Sequence, residues 1–342
     1  MESKIALYPI VGVTGDWLDE PFDPSMLPAK IVSDVTVEDI RPLLKGKEFD
    51  LFDGFLAKRE LESLRRVQFG IVHRYSDALT GLAEQPDIRA ERIVRHLGAC
   101  LRLIRPMQQD ASFIRFRILP DSTLDVQHFE NPHEMAVPPI QKLFRLRNRD
   151  VNRLQKVGPQ FLTAMAGEFW KFRVSAELHE SGQFSHAYWK GRFSLWCSAL
   201  EALFTSNSYQ HKGTLVAKER IKWFLGPKML IYEPGDIQSG QPEPTLTVND
   251  VIDDLYELRN SVAHGDRTPA KFFNVARTEY DQNIVLAEVL TEAISRIIRA
   301  SLLRILEDNL LNEFADGPAS EAYFGSQGLT RDVLRAKRRL TH

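Results

Sequence analysis

The sequence predicts two parts of different class, an α+β N-terminal region followed by an all-α helical bundle, and three observations predict it. The hydrophobic pattern changes near Asp150 from mixed to helical. Two short runs, Phe113 to Leu119 and Leu124 to Phe129, are β-branched or aromatic and flank Pro120, Asp121 and Ser122, the pattern of two strands joined by a turn. The stretch from Thr278 to Phe314 carries Val285, Val289, Ile294, Ile297, Ile298, Leu302, Ile305 and Leu306 at helical spacing, with Arg, Glu and Asp between them. A chain of 342 residues exceeds a typical single domain. We therefore expect an α+β domain over 1–150, a helical bundle over 151–316 and a basic C-terminal tail over 317–342, which contains Arg331, Arg335, Lys337, Arg338 and Arg339.

Taken in order, Ile5 to Val13 reads as extended, Pro21, Pro24 and Pro28 mark connections, and Arg59 to Leu82 reads as helical. A helix over Ile88 to Ile104 follows from the spacing of Ile93, Leu97, Leu101 and Ile104. Pro132, Pro138 and Pro139 mark a boundary. Beyond it, helices are expected over Arg153 to Glu180, Ser185 to Thr205, Thr214 to Leu225, Asn249 to His264 and Thr278 to Phe314. The segment Pro227 to Thr247 contains Pro234, Gly235, Gly240 and Pro242 and has no helical period. A loop that long in a compact domain is usually functional.

Composition excludes more than it selects. A formal net charge of −2 gives no global attraction to nucleic acid, so any such contact must come from a local patch. Cys100 and Cys197 have neither metal nor redox spacing and read as buried thiols in a reducing compartment. The start, Met1 to Ile5, lacks the apolar run of a signal peptide, and no segment approaches a membrane span; a cytoplasmic location is the expectation.

The richest chemistry lies in Tyr256 to Gly265. Thr247 or Asn249 can cap this helix, Asp250, Asp253 and Asp254 load its first turn with the charge the macrodipole favours, and Gly265 can end it. At about 100° per residue, Val251, Leu255, Leu258 and Val262 form one stripe, with Asn260 and His264 nearly opposite. Four apart, these two are neighbours, so the Asn side chain can orient the imidazole. Ile252, Tyr256 and Ala263 form a second apolar strip, which asks for a second partner, another subunit being one candidate. Arg259 and His264 are five apart. They converge if the helix ends at the His, if the Arg side chain wraps, or if the two come from facing subunits. A guanidinium suits a phosphate and an imidazole moves protons near neutral pH.

The run Arg259-Asn260-Ser261-Val262-Ala263-His264 resembles the Arg-polar-three-residues-His signature of the HEPN superfamily, all-helical domains many of which are metal-independent ribonucleases. Phe193 to Phe204, with Ala199-Leu200-Glu201-Ala202-Leu203-Phe204, is similar to the early helix of its Apea-like branch, in which such a run precedes a Tyr-x-x-Arg…His-Gly helix. The resemblance covers roughly Asp150 to Phe314. It implies an HEPN-like bundle that needs no cofactor or metal and cleaves RNA to a 2′,3′-cyclic phosphate and a 5′-hydroxyl. It also implies a role in defence or stress response. By position, Arg259 would bind the scissile phosphate, His264 would act as general base or acid, and Asn260 would position it, with Glu201 and Tyr256 in support. Glu201 lies on a largely apolar surface and calls for a cationic partner, Arg259, Lys218 or Arg220; a structural salt bridge accounts for it as well.

Other candidates are weaker. Lys142, Phe144, Arg145, Arg147, Arg149 and Arg153 interleave cations with an aromatic and could hold an RNA backbone, though a solvated stretch bounding a helix has the same composition. His128, His133 and Glu134 flank Pro132 without helical ligand spacing and read as a solvated turn. Three functions follow: an endoribonuclease, a catalytically silent binding or dimerisation module, and a ligand-sensing protein. RNA and a second copy of the chain are the expected partners.

Overall fold

The computed structural model describes residues 3–11, 23–43, 67–76, 85–105, 113–120, 124–130, 146–183, 189–206, 213–231, 246–264, 269–272, 275–277 and 283–340. They form two compact units, the described residues up to Ala166 and those from Gly167 onward. The first mixes strands and helices; the second is mainly helical.

The first unit is built on a six-stranded antiparallel sheet, ordered β2-β3-β4-β1-β5-β6. Its strands are β1 (Ser3–Val11), β2 (Ala29–Val32), β3 (Val35–Asp39), β4 (Val67–Ser76), β5 (Phe113–Ile118) and β6 (Leu124–Glu130). Side chains alternate across the pleat, which gives one face to Ile5, Leu7, Val72, Ile114 and Phe116, all buried in one cluster. Among the described residues, β1 pairs with β5 over Ser3 to Leu7 and with β4 over Ser3 to Val11. Helix α1 (Pro86–Ile104) packs on β1 and β4. At Gly98 an added Cβ would fall 2.4 Å from the Tyr8 ring, so only glycine admits that approach.

Two expectations need correction here. Arg59 to Leu82 is not one helix, since Val67–Ser76 is strand β4; Phe69, Ile71, His73 and Tyr75 alternate along it, and Phe69 and Ile71 are buried. Strands β2 and β3, four and five residues long, were too short to carry a periodic signal. The boundary lies at Ala166 rather than near Asp150. Helix α2 (Asn148–Ala166) belongs to the sheet unit, burying Val151, Leu154, Val157 and Phe161 against α1 and β2. Asp150 itself is buried, 3.6 Å from the equally buried Arg105 guanidinium; burial pushes its carboxyl up, and Arg105 opposes that shift.

The second unit comprises α3 (Trp170–Gln183), α4 (Trp189–Phe204), α5 (Gly213–Leu225), α6 (Val248–Ala263), the hairpin β7 (Val275–Arg277) and β8 (Asn283–Val285), α7 (Leu286–Glu307), α8 (Gly317–Ser326) and α9 (Arg331–Leu340). The helix expected over Arg153 to Glu180 is thus two, broken after Ala166. The long C-terminal helix is shorter than its pattern and starts at Leu286, after the hairpin. Its stripe from Ile294 to Leu306 is buried as expected, while the side chains of Val285 and Val289 lie outside the described residues.

The expected basic tail is folded as α8 and α9. Phe324 joins Phe204, Phe224 and Phe314 in a buried aromatic cluster with centroids 5.4–6.4 Å apart. Beside it Arg220, with no exposed surface, is held bidentately by Glu321 at 2.8 Å. It also donates to the carbonyls of Phe204 and Leu329 at 3.1 and 3.2 Å, and its guanidinium lies 4.6 Å from the Phe324 ring centre. Those contacts draw the segment into the core. Among the described residues, no helix is long and apolar enough to cross a membrane.

Gly182 sets the approach of α3 to α4. A Cβ there would fall 2.3 Å from Trp196 Nε1, whose N–H donates to the His179 carbonyl at 2.9 Å. Gly182→Ala is expected to cost about 1–3 kcal/mol through overpacking, measured as a lower urea midpoint. An unchanged midpoint would mean that Trp196 relaxes freely.

Candidate functional site

Helix α6 carries the Arg-His motif. Thr247 is its N-cap: the Asp250 carboxylate accepts from the Thr247 N–H at 2.8 Å and from its hydroxyl at 2.6 Å. Those bonds, the hydroxyl's first, hold the Asp250 carboxyl below its ordinary range. Asp253 meets Lys218 at 2.6 Å, and Lys271 bridges Asp254 and Glu257 at 2.9 and 2.7 Å, so the outer face is laced with ion pairs.

The inner face is wider than one stripe. Val251, Leu255 and Leu258 are buried as expected, but so are Ile252 and Tyr256, because α4, α5 and α7 all pack on α6. This corrects the expectation that Ile252, Tyr256 and Ala263 form a subunit interface: the chain's own core takes up the first two, and only Ala263 is exposed. Tyr256 Oη is buried and has no hydrogen-bond partner among the described residues. Burial pushes that hydroxyl well up, reinforced by Glu201 and Cys197, so Tyr256 is a packing residue rather than a proton donor at neutral pH.

Arg259 projects between the two apolar strips, within the arc that neighbouring helices cover. There it meets α4. Its Nη2 lies 2.8 and 3.0 Å from the two carboxylate oxygens of Glu201, with both side chains 27% exposed. Of the three cations that could serve Glu201, the structure selects Arg259, since Lys218 pairs with Asp253 and Arg220 with Glu321. Cys197, one turn before Glu201, is buried, and its thiol is pushed well up by burial, with Glu201 adding to the shift and Arg259 opposing it.

Asn260 and His264 are exposed. The Asn260 amide oxygen faces Arg259 Nη1 at a long 3.4 Å, and its main-chain carbonyl accepts from the His264 N–H at 3.1 Å. The imidazole has no side-chain hydrogen bond among the described residues, so Asn260 turns toward Arg259 rather than orienting His264. The helix ends at the His, which is its C-cap. Gly265 lies outside the described residues. So does most of the loop before α6; its ends, Pro227–Ile231 and Leu246–Thr247, are pinned by a bridge between Leu230 and Thr247, with Ile231 buried.

Lys142 and Arg145 lie outside the described residues, while Arg147 and Arg149 open α2 in the first unit, where the Asp150 carboxylate accepts from the Arg147 N–H at 3.0 Å. His128 is exposed on β6; His133 and Glu134 lie outside the described residues. Among the described residues, no three His, Cys, Asp or Glu side chains cluster as metal ligands. The residues that sequence reasoning missed are those of a cleft in the first unit, described below.

What the site can do follows from its parts. It offers a guanidinium about a quarter exposed, held by a carboxylate that a phosphate can replace, and an open imidazole five residues further on, at the end of the helix. Compared with known proteins, the chain matches no family model, no curated protein and no solved structure.

Proposed function

We propose that the chain is a metal-independent endoribonuclease of HEPN type, cytoplasmic and acting in defence or stress response. The observation that carries this reading is the Arg259–Glu201 pair: residues 58 apart, one from each segment that resembles the Apea-like branch, meet at 2.8 Å. In this reading the phosphate displaces Glu201 from Arg259, which then offsets the charge developing on phosphorus-bound oxygen. The His264 imidazole removes the 2′-hydroxyl proton, the 2′-oxygen bonds to phosphorus as the bond to the 5′-oxygen breaks, and the imidazolium so formed gives that proton to the leaving 5′-oxygen. The proposed partners are RNA and a second copy of the chain, which would meet this one at the exposed end of α6, where Asn260, Ala263 and His264 are open.

A second reading has its own observation. Arg259 is already paired and, among the described residues, the imidazole has no orienting partner, as suits a silent binding module or a relay for a ligand-sensing region. Incubation of single-stranded RNA with the full chain in EDTA separates the readings. The enzyme is expected to leave 2′,3′-cyclic phosphate and 5′-hydroxyl ends at an undiminished rate. Loss of cleavage in chelator, or 3′-hydroxyl products, would reject the mechanism.

A further inference from the structure

The first unit contains a cleft of about 980 Å³, within the size range of small-molecule sites. One wall is a face of α1: Arg89, Arg92, Ile93 and His96 stand at i, i+3, i+4 and i+7 and all line it. The other walls are the β2–β3 turn, the ends of β1, β4 and β5, and the last turn of α2; Ile118 and Leu162 supply apolar surface.

Charge on these walls is one-sided. Four cations line the cleft, Lys4, Arg74, Arg89 and Arg92, and among the described residues one carboxylate, Asp34. Lys4 pairs with Asp87 at 3.1 Å, a carboxylate that Arg115 shares at 3.4 Å, and Arg74 pairs with Glu38 at 2.5 Å. Arg89 and Arg92 are exposed on one turn of helix. Burial, with Arg92 adding to it, holds His96 down to about 4, and burial also lowers His73, so both rings are neutral near pH 7 and can donate or accept without adding charge.

We propose that this cleft binds a phosphorylated small molecule of about mononucleotide size, its phosphates on the Arg89 and Arg92 guanidiniums and its organic part against Ile93, Ile118 and Leu162. Two planar forks a turn apart suit phosphate oxygens bidentately. The volume far exceeds what one inorganic ion fills, and the apolar wall answers to an organic group. The site belongs to the unit that the ribonuclease reading leaves without a role, and it stands whether or not RNA is cleaved.

Isothermal titration of the full chain tests this with ATP and AMP as probes and citrate as a non-phosphate polyanion. Both nucleotides are expected to bind saturably and more tightly than citrate. Arg89→Ala and Arg92→Ala, each checked by circular dichroism, should weaken ATP at least about ten-fold, a loss of about 1.4 kcal/mol. Arg92→Lys, which keeps the charge and loses the fork, should fall between. No saturable heat from either nucleotide at millimolar concentration, citrate binding as tightly as ATP, or unchanged affinity in both alanine variants would each overturn the proposal.

Discussion

His264→Ala is expected to slow RNA cleavage by about 10²–10⁴-fold, the usual contribution of general acid–base catalysis. Arg259→Ala should cost about 10²–10³-fold, as for loss of one donor to a developing oxyanion. Neither loss should come from unfolding. His264 is exposed, and the Arg259–Glu201 pair, about a quarter exposed on each side, lies between exposed and buried pairs, so breaking it should cost about 1–3 kcal/mol, less than the stability of a typical domain. Arg259→Lys should recover little, because a point charge does not reproduce the fork. Single-turnover cleavage with circular dichroism on each variant decides the matter; wild-type rates in both alanine variants would leave α6 a scaffold.

Glu321→Ala should be the most destabilising change in the helical unit. It strands the fully buried Arg220 without its carboxylate, and breaking such a pair costs about 3–5 kcal/mol. The exposed Lys218–Asp253 pair is the control. It is as short, at 2.6 Å, yet Asp253 is 68% exposed, so Asp253→Ala should cost at most about 1 kcal/mol. Replacing both partners by apolar residues, as in Arg220→Met with Glu321→Leu, should recover part of the loss. Urea denaturation reads all three; equal midpoints for Glu321→Ala and Asp253→Ala would show that the Arg220 contacts to the two carbonyls suffice alone.

Long periodic segments were legible in the sequence: α1, α5, α6 and the buried stripe of α7 lie where the spacing of apolar residues places them. The β5–β6 pair was legible too, since the turn residues between its strands break a β-rich run. What failed depended on tertiary context. Strand β4 holds Phe69 and Val72 at i, i+3, a spacing that also fits a helical face, and its pairing with β1 and β3 decides for the strand. Helix α2 looks like the first helix of the second unit, yet Gly158, where a Cβ would fall 2.9 Å from Ile31 Cγ2, fits it to β2. At the site, the need of Glu201 for a cation was legible but the choice of Arg259 was not, because three cations qualified by chemistry and only packing decides. The cleft in the first unit escaped notice because its walls come from six separate segments.

Strand β1 lies between β4 and β5, yet both partners are made after it. During synthesis its apolar Ile5, Leu7 and Ile10 therefore wait with two open edges, first for β4 and then for β5, a template on which strands of other chains can add. In the final sheet β4 covers one edge of that template along its length, and β5 covers the other over Ser3 to Leu7. The order of synthesis, more than the finished packing, decides when this unit is most open to misassembly.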